Sequence, residues 1–218
     1  MGEWRASEDD VRDLIAARHG DPFSFLGQHE TADGIVVRAF VPEAETVAVV
    51  DHDGTEVGAL NRRPKTDFFE ALMPGRRSRF GYRLRASNKG GEWIFADPYD
   101  FGPVLGPMDD HLLVEGTHKQ LYEKLGAHVM RHGGVDGVHF AVWAPDAQRV
   151  SVVGDFNAWD GRRHQMRKRI DSGLWEIFAP GLGEGVMYKF EIVGPDGVVL
   201  PLKADPFGFG SELRPSTA

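Results

Sequence analysis

Apolar and polar residues alternate through much of the chain. In Ile35, Val37, Ala39 and Val41, and again in Val47 and Val49, apolar side chains recur at every second position, the period of a strand with one face toward a core. β-Branched and aromatic residues fill these runs and Pro, Gly and Asp bound them, which predicts half-buried β-strands. Turn signals follow at short spacing: Pro42-Glu43, Asp53-Gly54, Pro74-Gly75, Pro145-Asp146, Asp171-Ser-Gly173, Gly181 to Gly185 and Pro195-Asp-Gly197. Several short strands with regular turns predict an all-β fold of immunoglobulin-like sandwich type, since a single open sheet would leave one apolar face wet. Helical spacing occurs in two places. Ser7, with Asp10 three residues on, is placed to cap a helix that carries Val11, Leu14 and Ile15 on one face and stops at Gly20. A second helix is predicted from about Thr117 to Leu125, with Leu121 and Leu125 four apart and Gly126 as its stop.

The alternating pattern occurs twice. The segment Asp33–Val50 matches Asp136–Val153 at an offset of 103 residues. Further along, Phe69-Glu70 answers Trp175-Glu176, Tyr82 answers Tyr188, and Asp97-Pro98 answers Asp205-Pro206. Two copies are too few for a stacked solenoid, so each is expected to bury its own core as a domain. The predicted organisation is two tandem immunoglobulin-like β-sandwiches, residues 1–105 and 136–218, with short helices at the N-terminus and in a helical linker, 106–135. The stretch Met108–Glu115 within that linker is too apolar for a free tether.

A length of 218 residues suits two small domains, and 27 Gly with 13 Pro fits a globular protein rich in turns. The absence of cysteine excludes disulfides, thiolate zinc sites and cysteine nucleophiles. The acidic start, with no basic-then-apolar leader, and the lack of any run near the roughly 18 apolar residues of a membrane span lead to the expectation of a cytoplasmic protein with no membrane partner. A formal net charge of −8 argues against nucleic acid and suits a neutral ligand.

Most candidate chemistry has an ordinary explanation. His128 and His132 are four apart but lack a nearby third ligand, so no metal is expected. Gly181-Leu-Gly-Glu-Gly185 opens no helix and is expected to be a hairpin turn. Asp9-Asp10 and Asp109-Asp110 are expected to be solvated charge. The run Gly154-Asp-Phe-Asn-Ala-Trp-Asp160 differs, because it sets Asn157 and Trp159 on a turn after a buried strand. An exposed Trp159 ring would stack on the C–H face of a neutral sugar, while Asn157 and Lys189 offered donors to its hydroxyls. The same residues also fit a Trp159 folded over the sandwich edge and a Lys189 that is a surface lysine pointing away from Tyr188 and Phe190.

Over essentially its whole length the chain resembles bacterial glycogen branching enzymes. The matching segments are Asp21–Gly27, Asp97–Pro103, Glu115–His118, Leu125–His128, Val142–Pro145, Val150–His164, and Asp205-Pro-Phe207 through Leu213-Arg-Pro215. Val142 to Trp159 alone would mark only the wider group that carries a family 48 carbohydrate-binding module; the preceding repeat and Gly161-Arg-Arg-His164 favour the branching enzyme. The resemblance implies a parent enzyme that cleaves an α-1,4-glucan chain, holds it as a glycosyl-enzyme and passes it to a 6-hydroxyl, with no metal or organic cofactor. It places the catalytic carboxylates on a (β/α)₈ barrel of about 250 residues beyond these modules, so no catalytic residue is assigned and this segment alone is expected to be inactive. The implied partners are α-glucan (glycogen and malto-oligosaccharides) and the barrel in cis; a free-standing glycogen-targeting or protein-interaction module is the alternative. In the family, a Trp matching Trp159 and a Lys matching Lys189 grip glucan with a second Trp that would follow Asp196-Gly197. Val198, Val199 and Leu200 stand there instead. The first copy has Asp51-His-Asp-Gly54 in place of the Gly-Asp-Phe-Asn turn and no Trp, so it is expected to keep the fold and serve as a spacer.

Overall fold

Strands form where the alternation places them, within residues 4–210, the part of the chain that the computed structural model describes. Contacts divide the chain after Asp100 into two units. In the first, β1 (Gly27–Thr31), β2 (Gly34–Phe40), β3 (Thr46–Val50), β4 (Glu56–Arg62), β5 (Phe68–Leu72), β6 (Arg83–Asn88) and β7 (Gly91–Phe95) pair antiparallel in the order β1-β2-β5-β4-β3-β6-β7. Strand β4 joins the two halves, pairing with β3 up to Leu60 and with β5 through Asn61 and Arg62. Ile35, Val37, Val49, Phe69 and Leu84 form one buried core.

β2 departs from the half-buried expectation, because Val36 is as fully buried as Ile35 and Val37. The other face of this half carries a second layer: α1 (Glu8–Ile15) packs Val11 and Leu14 with Phe25, Leu26 and Phe68. Ser7 caps α1 as expected, its hydroxyl accepting from Asp10 N at 3.1 Å. The helix ends at Ile15 rather than running to Gly20, because Ala17 turns to φ 54° and His19 comes back to stack on Phe25.

The second unit holds β8 (Gly126–His132), β9 (Val135–Trp143), β10 (Arg149–Gly154), β11 (Arg167–Arg169), β12 (Leu174–Pro180) and β13 (Tyr188–Val193). One sheet runs β11-β12-β9-β8; the other pairs β10 with β13 and is widened by the bridges Ser151↔Gln165 and Phe190↔Lys203. The helix expected over 117–125 lies earlier: α2 spans Pro107–Val114, and Leu121–Glu123 form only a 3₁₀ turn before β8. Pro107 opens α2 and the Asp109 carboxylate accepts from Gly106 N at 2.9 Å, a start signal of the usual kind. Leu121 and Leu125 are spaced not for a helix but to pack with Leu105, Ala141 and Leu174. The stretch 106–135 thus supplies a helix and the edge strand β8, paired with β9 from Gly126 to His132, rather than a linker.

These elements lengthen the repeat. Leu26-Gly-Gln-His29 and Leu125-Gly-Ala-His128 occupy matching places, each His ring meeting the carbonyl of its own Leu, at 2.8 and 3.0 Å. Each copy also has a latch: Tyr82 donates to Asp97 at 2.7 Å and Tyr188 to Asp205 at 2.5 Å, while the other carboxylate oxygens accept from Tyr99 N and Phe207 N. The glycines Gly27 (φ 85°) and Gly126 (φ 102°) lie against the segment after each latch, and a Cβ at Gly27 would sit 2.8 Å from the Tyr99 carbonyl oxygen. Gly27→Ala is therefore expected to destabilise the first unit by about 2 kcal/mol, from the left-handed φ and the forced contact together, read as a lower urea midpoint. A shift of under about 0.5 kcal/mol would show that this approach is not tight.

Candidate functional site

The turn after β10 is built by Asn157. Gly154 is extended and tightly enclosed, with its absent Cβ 2.4 Å from the Met187 carbonyl oxygen. Residues Asp155–Asn157 then form one 3₁₀ turn, after which Ala158 and Trp159 both take left-handed φ, 56° and 58°. Two consecutive non-glycine residues in that region cost free energy, and Asn157 offsets it: its Oδ1 accepts from Gly154 N at 3.0 Å and its Nδ2 donates to the Val152 carbonyl at 2.9 Å. The same amide reaches His164 Nδ1 at 3.1 Å, where desolvation, then the nearby Arg163 charge, lowers the imidazole pKa to about 4. His164 is therefore neutral near pH 7, with Nδ1 free to accept. Asn157 is 1% exposed and its amide is committed to the turn, so it holds the site rather than facing a sugar.

Trp159 is 37% exposed, which leaves part of its ring in solvent instead of folding it wholly over the edge. Its main-chain N donates to the Gly154 carbonyl at 2.9 Å and its Nε1 to Asp155 at 2.8 Å, so both backbone and ring edge are tethered. Lys189 stands opposite Val153 in the β10–β13 register, one rung from the Gly154↔Tyr188 pair. Tyr188 and Phe190 are buried and Lys189 alternates onto the outer face. Among the described residues its ammonium has no hydrogen-bonding or ionic partner. The register thus brings Trp159 and Lys189 to the same end of one sheet.

Val199 bridges to Val193 of β13, and Val198 and Val199 are each 55% exposed, so an aliphatic surface occupies the position of the missing second Trp. Leu202, also exposed, follows three residues on. The sequence marked these residues as a loss, and Val199 stands by Val193, four residues along β13 from Lys189.

The other candidates settle into structural roles. His128 and His132 lie on β8, and their Nε2 atoms meet the carbonyls of Leu125 and Gly102. Among the described residues no three His, Asp or Glu side chains are placed to hold a metal. Asp109 and Asp110 are not the solvated pair expected: Asp109 meets His118 and Lys124, and Asp110 binds Arg169 and Ser172. No helix among the described residues is long and apolar enough to cross a membrane.

Residues 7–99 match the family described as the N-terminal domain of the α-1,4-glucan branching enzyme GlgB, and residues 124–208 match carbohydrate-binding module 48, the isoamylase N-terminal domain. By these matches one stretch of the chain is similar to branching-enzyme N-terminal domains and the other to family 48 modules. Similar curated relatives include the 1,4-α-glucan branching enzyme GlgB of Mesorhizobium japonicum, 59% identical over 98% of this chain, and that of Rhizobium meliloti, 54% identical over 96%. The chain spans 29% and 28% of their lengths. Among solved structures, a pullulanase from Anoxybacillus sp. LM18-11 complexed with maltotetraose has a TM-score of 0.33 at 17% identity, covering 78% of this chain and 22% of its own. Trp159, Asn157 and Lys189 all fall in the stretch that matches the family 48 module, and the stretch that matches the branching-enzyme domain carries the first latch, Tyr82–Asp97.

Proposed function

We propose that the family 48 module holds an α-glucan chain for a cytoplasmic 1,4-α-glucan branching enzyme whose catalytic barrel lies in the same polypeptide. The observation that carries this reading is the tethered, partly exposed Trp159 ring at the same sheet end as Lys189, whose ammonium has no partner among the described residues. A pyranose stacks its C–H face on the ring and Lys189 donates to hydroxyls. Asn157 acts through the turn. Each such contact is weak, and attachment to a polymer with many equivalent chains raises the effective concentration. In the parent enzyme this contact keeps long α-1,4 chains near the barrel that transfers them into α-1,6 branches.

Addition of maltoheptaose is expected to quench tryptophan fluorescence saturably, and Trp159→Ala to remove that response. Lys189→Ala is expected to weaken it about tenfold, equivalent to about 1.4 kcal/mol. A saturable response that survives Trp159→Ala unchanged, or none in either protein, would sink this reading.

A further inference from the structure

The two units carry the same outer sheet face in different states. In the second, Arg149, Ser151 and Glu191 lie on the face that bears Lys189. Arg149 bridges Ser151, Glu191 and the Gly161 carbonyl, and the 161–165 segment lies over them: a Cβ on Gly161 would meet the Glu191 carboxylate at 2.0 Å, and Gln165 bridges to Ser151. That part of the face is covered, and Lys189 lies outside the cover. The repeat places Thr46 where Arg149 stands, Ala48 where Ser151 stands and Arg85 where Glu191 stands, and the β3–β6 register confirms that Ala48 lies opposite Arg85. Two short side chains replace a long one and a hydrogen-bonded one, and a trough of about 200 Å³ opens over them.

The trough has a distinct chemistry. Ala48 and Ala59, paired across β3 and β4, make a floor with no side chain beyond Cβ. The hydroxyls of Thr46 and Ser87 lie 2.6 Å apart at one end. Arg85 lies in it, bonded to the Glu56 carboxylate, with its Nε 3.7 Å from Glu92. Two carboxylates around one guanidinium leave the trough with about one net negative charge, which disfavours a phosphate or other anion, and the guanidinium between them disfavours a cation. What remains is a polyol site: paired acceptors, a planar fork of donors and two hydroxyls around a flat floor on which a ring can lie.

We propose that this trough binds one glucosyl unit of an α-glucan chain, making the first module a second saccharide contact rather than a spacer. Only the ligand class rests on the function proposed above; the site shares no residue with Trp159 and Lys189.

A ¹H–¹⁵N correlation titration of the whole 218-residue chain with maltoheptaose tests it. Saturable shifts are expected at the Ala48, Ala59 and Ser87 amides, and they should persist in Trp159→Ala while shifts at 154–160 disappear. Ala48→Leu, which fills the floor, should weaken the trough shifts at least tenfold and leave those at 154–160 unchanged. Thr46→Arg, which copies Arg149, should do the same and serves if the first variant fails to fold. Shifts confined to 154–160 and Lys189, trough shifts that survive filling, or no shift at the trough in the folded protein would each overturn the proposal. Failure of the Trp159 site alone appears as trough shifts without shifts at 154–160.

Discussion

Glu176→Ala is expected to cost the second unit about 3–5 kcal/mol, because it removes a buried charge that four donors share. The Glu176 side chain is 2% exposed; its Oε2 accepts from Val104 N at 2.9 Å, Leu105 N at 3.0 Å and His139 Nε2 at 3.1 Å, and its Oε1 from Arg169 at 2.9 Å. Burial pushes this carboxyl's pKa up, but the hydrogen bonds from His139 and the two amides outweigh it and hold the value below the usual range. By linkage, a lowered carboxyl pKa adds stability that is present above the unfolded value, 4.5 for this residue, and is lost as pH falls through the folded one. Alanine leaves two main-chain amides and an imidazole without their acceptor. Glu176→Gln keeps one acceptor but turns an amide donor toward another donor, so about half the loss is expected. Urea unfolding measures the change, and hydrogen exchange at the Leu105 amide localises it. A loss below about 1 kcal/mol with that amide still protected would mean that the N-terminal arm of the unit is held by apolar packing alone.

The second large effect runs the other way with pH. Burial raises the Asp97 pKa from 3.8 to about 6, against the hydrogen bonds from Tyr82 and Tyr99 N that favour the carboxylate. A raised folded pKa adds stability that is full below about pH 4 and is lost as pH rises through about 6. At about 1.4 kcal/mol per pH unit, the difference comes to about 3 kcal/mol. The stability gap between the natural chain and Asp97→Asn should therefore shrink by about 3 kcal/mol from pH 4 to pH 7.5. Comparing two proteins that share every other titrating group cancels the opposite contributions of Asp109, Asp110 and Glu176, whose pKa values are lowered. Parallel pH profiles for the two proteins would rule out the assignment.

The strands and their repetition were legible in sequence because a sandwich writes its core into a two-residue period, as at Ile35, Val37 and Ala39. The second layer was not, since Val36 looks the same in sequence whether α1 or water covers its face. α2 escaped detection because among the described residues it has no buried side chain and so no helical stripe; its signals were Pro107 and Asp109. The matched Leu-Gly-x-His tetrapeptides at 26–29 and 125–128 could have revealed that each copy begins well before Asp33 or Asp136. At the site, the sequence named Trp159, Lys189 and Asn157, but side-chain type does not show that an amide is already spent inside its own turn.

Thr46 and Arg149 occupy the same place in the two copies, and neither belongs to the core between sheets. Exchanging side chains at such a place opens or closes a face without altering what makes the sandwich fold. A module repeated in one chain can therefore diverge in what it touches while its folding constraints stay fixed, and the tolerance for new specificities lies in these outward rungs.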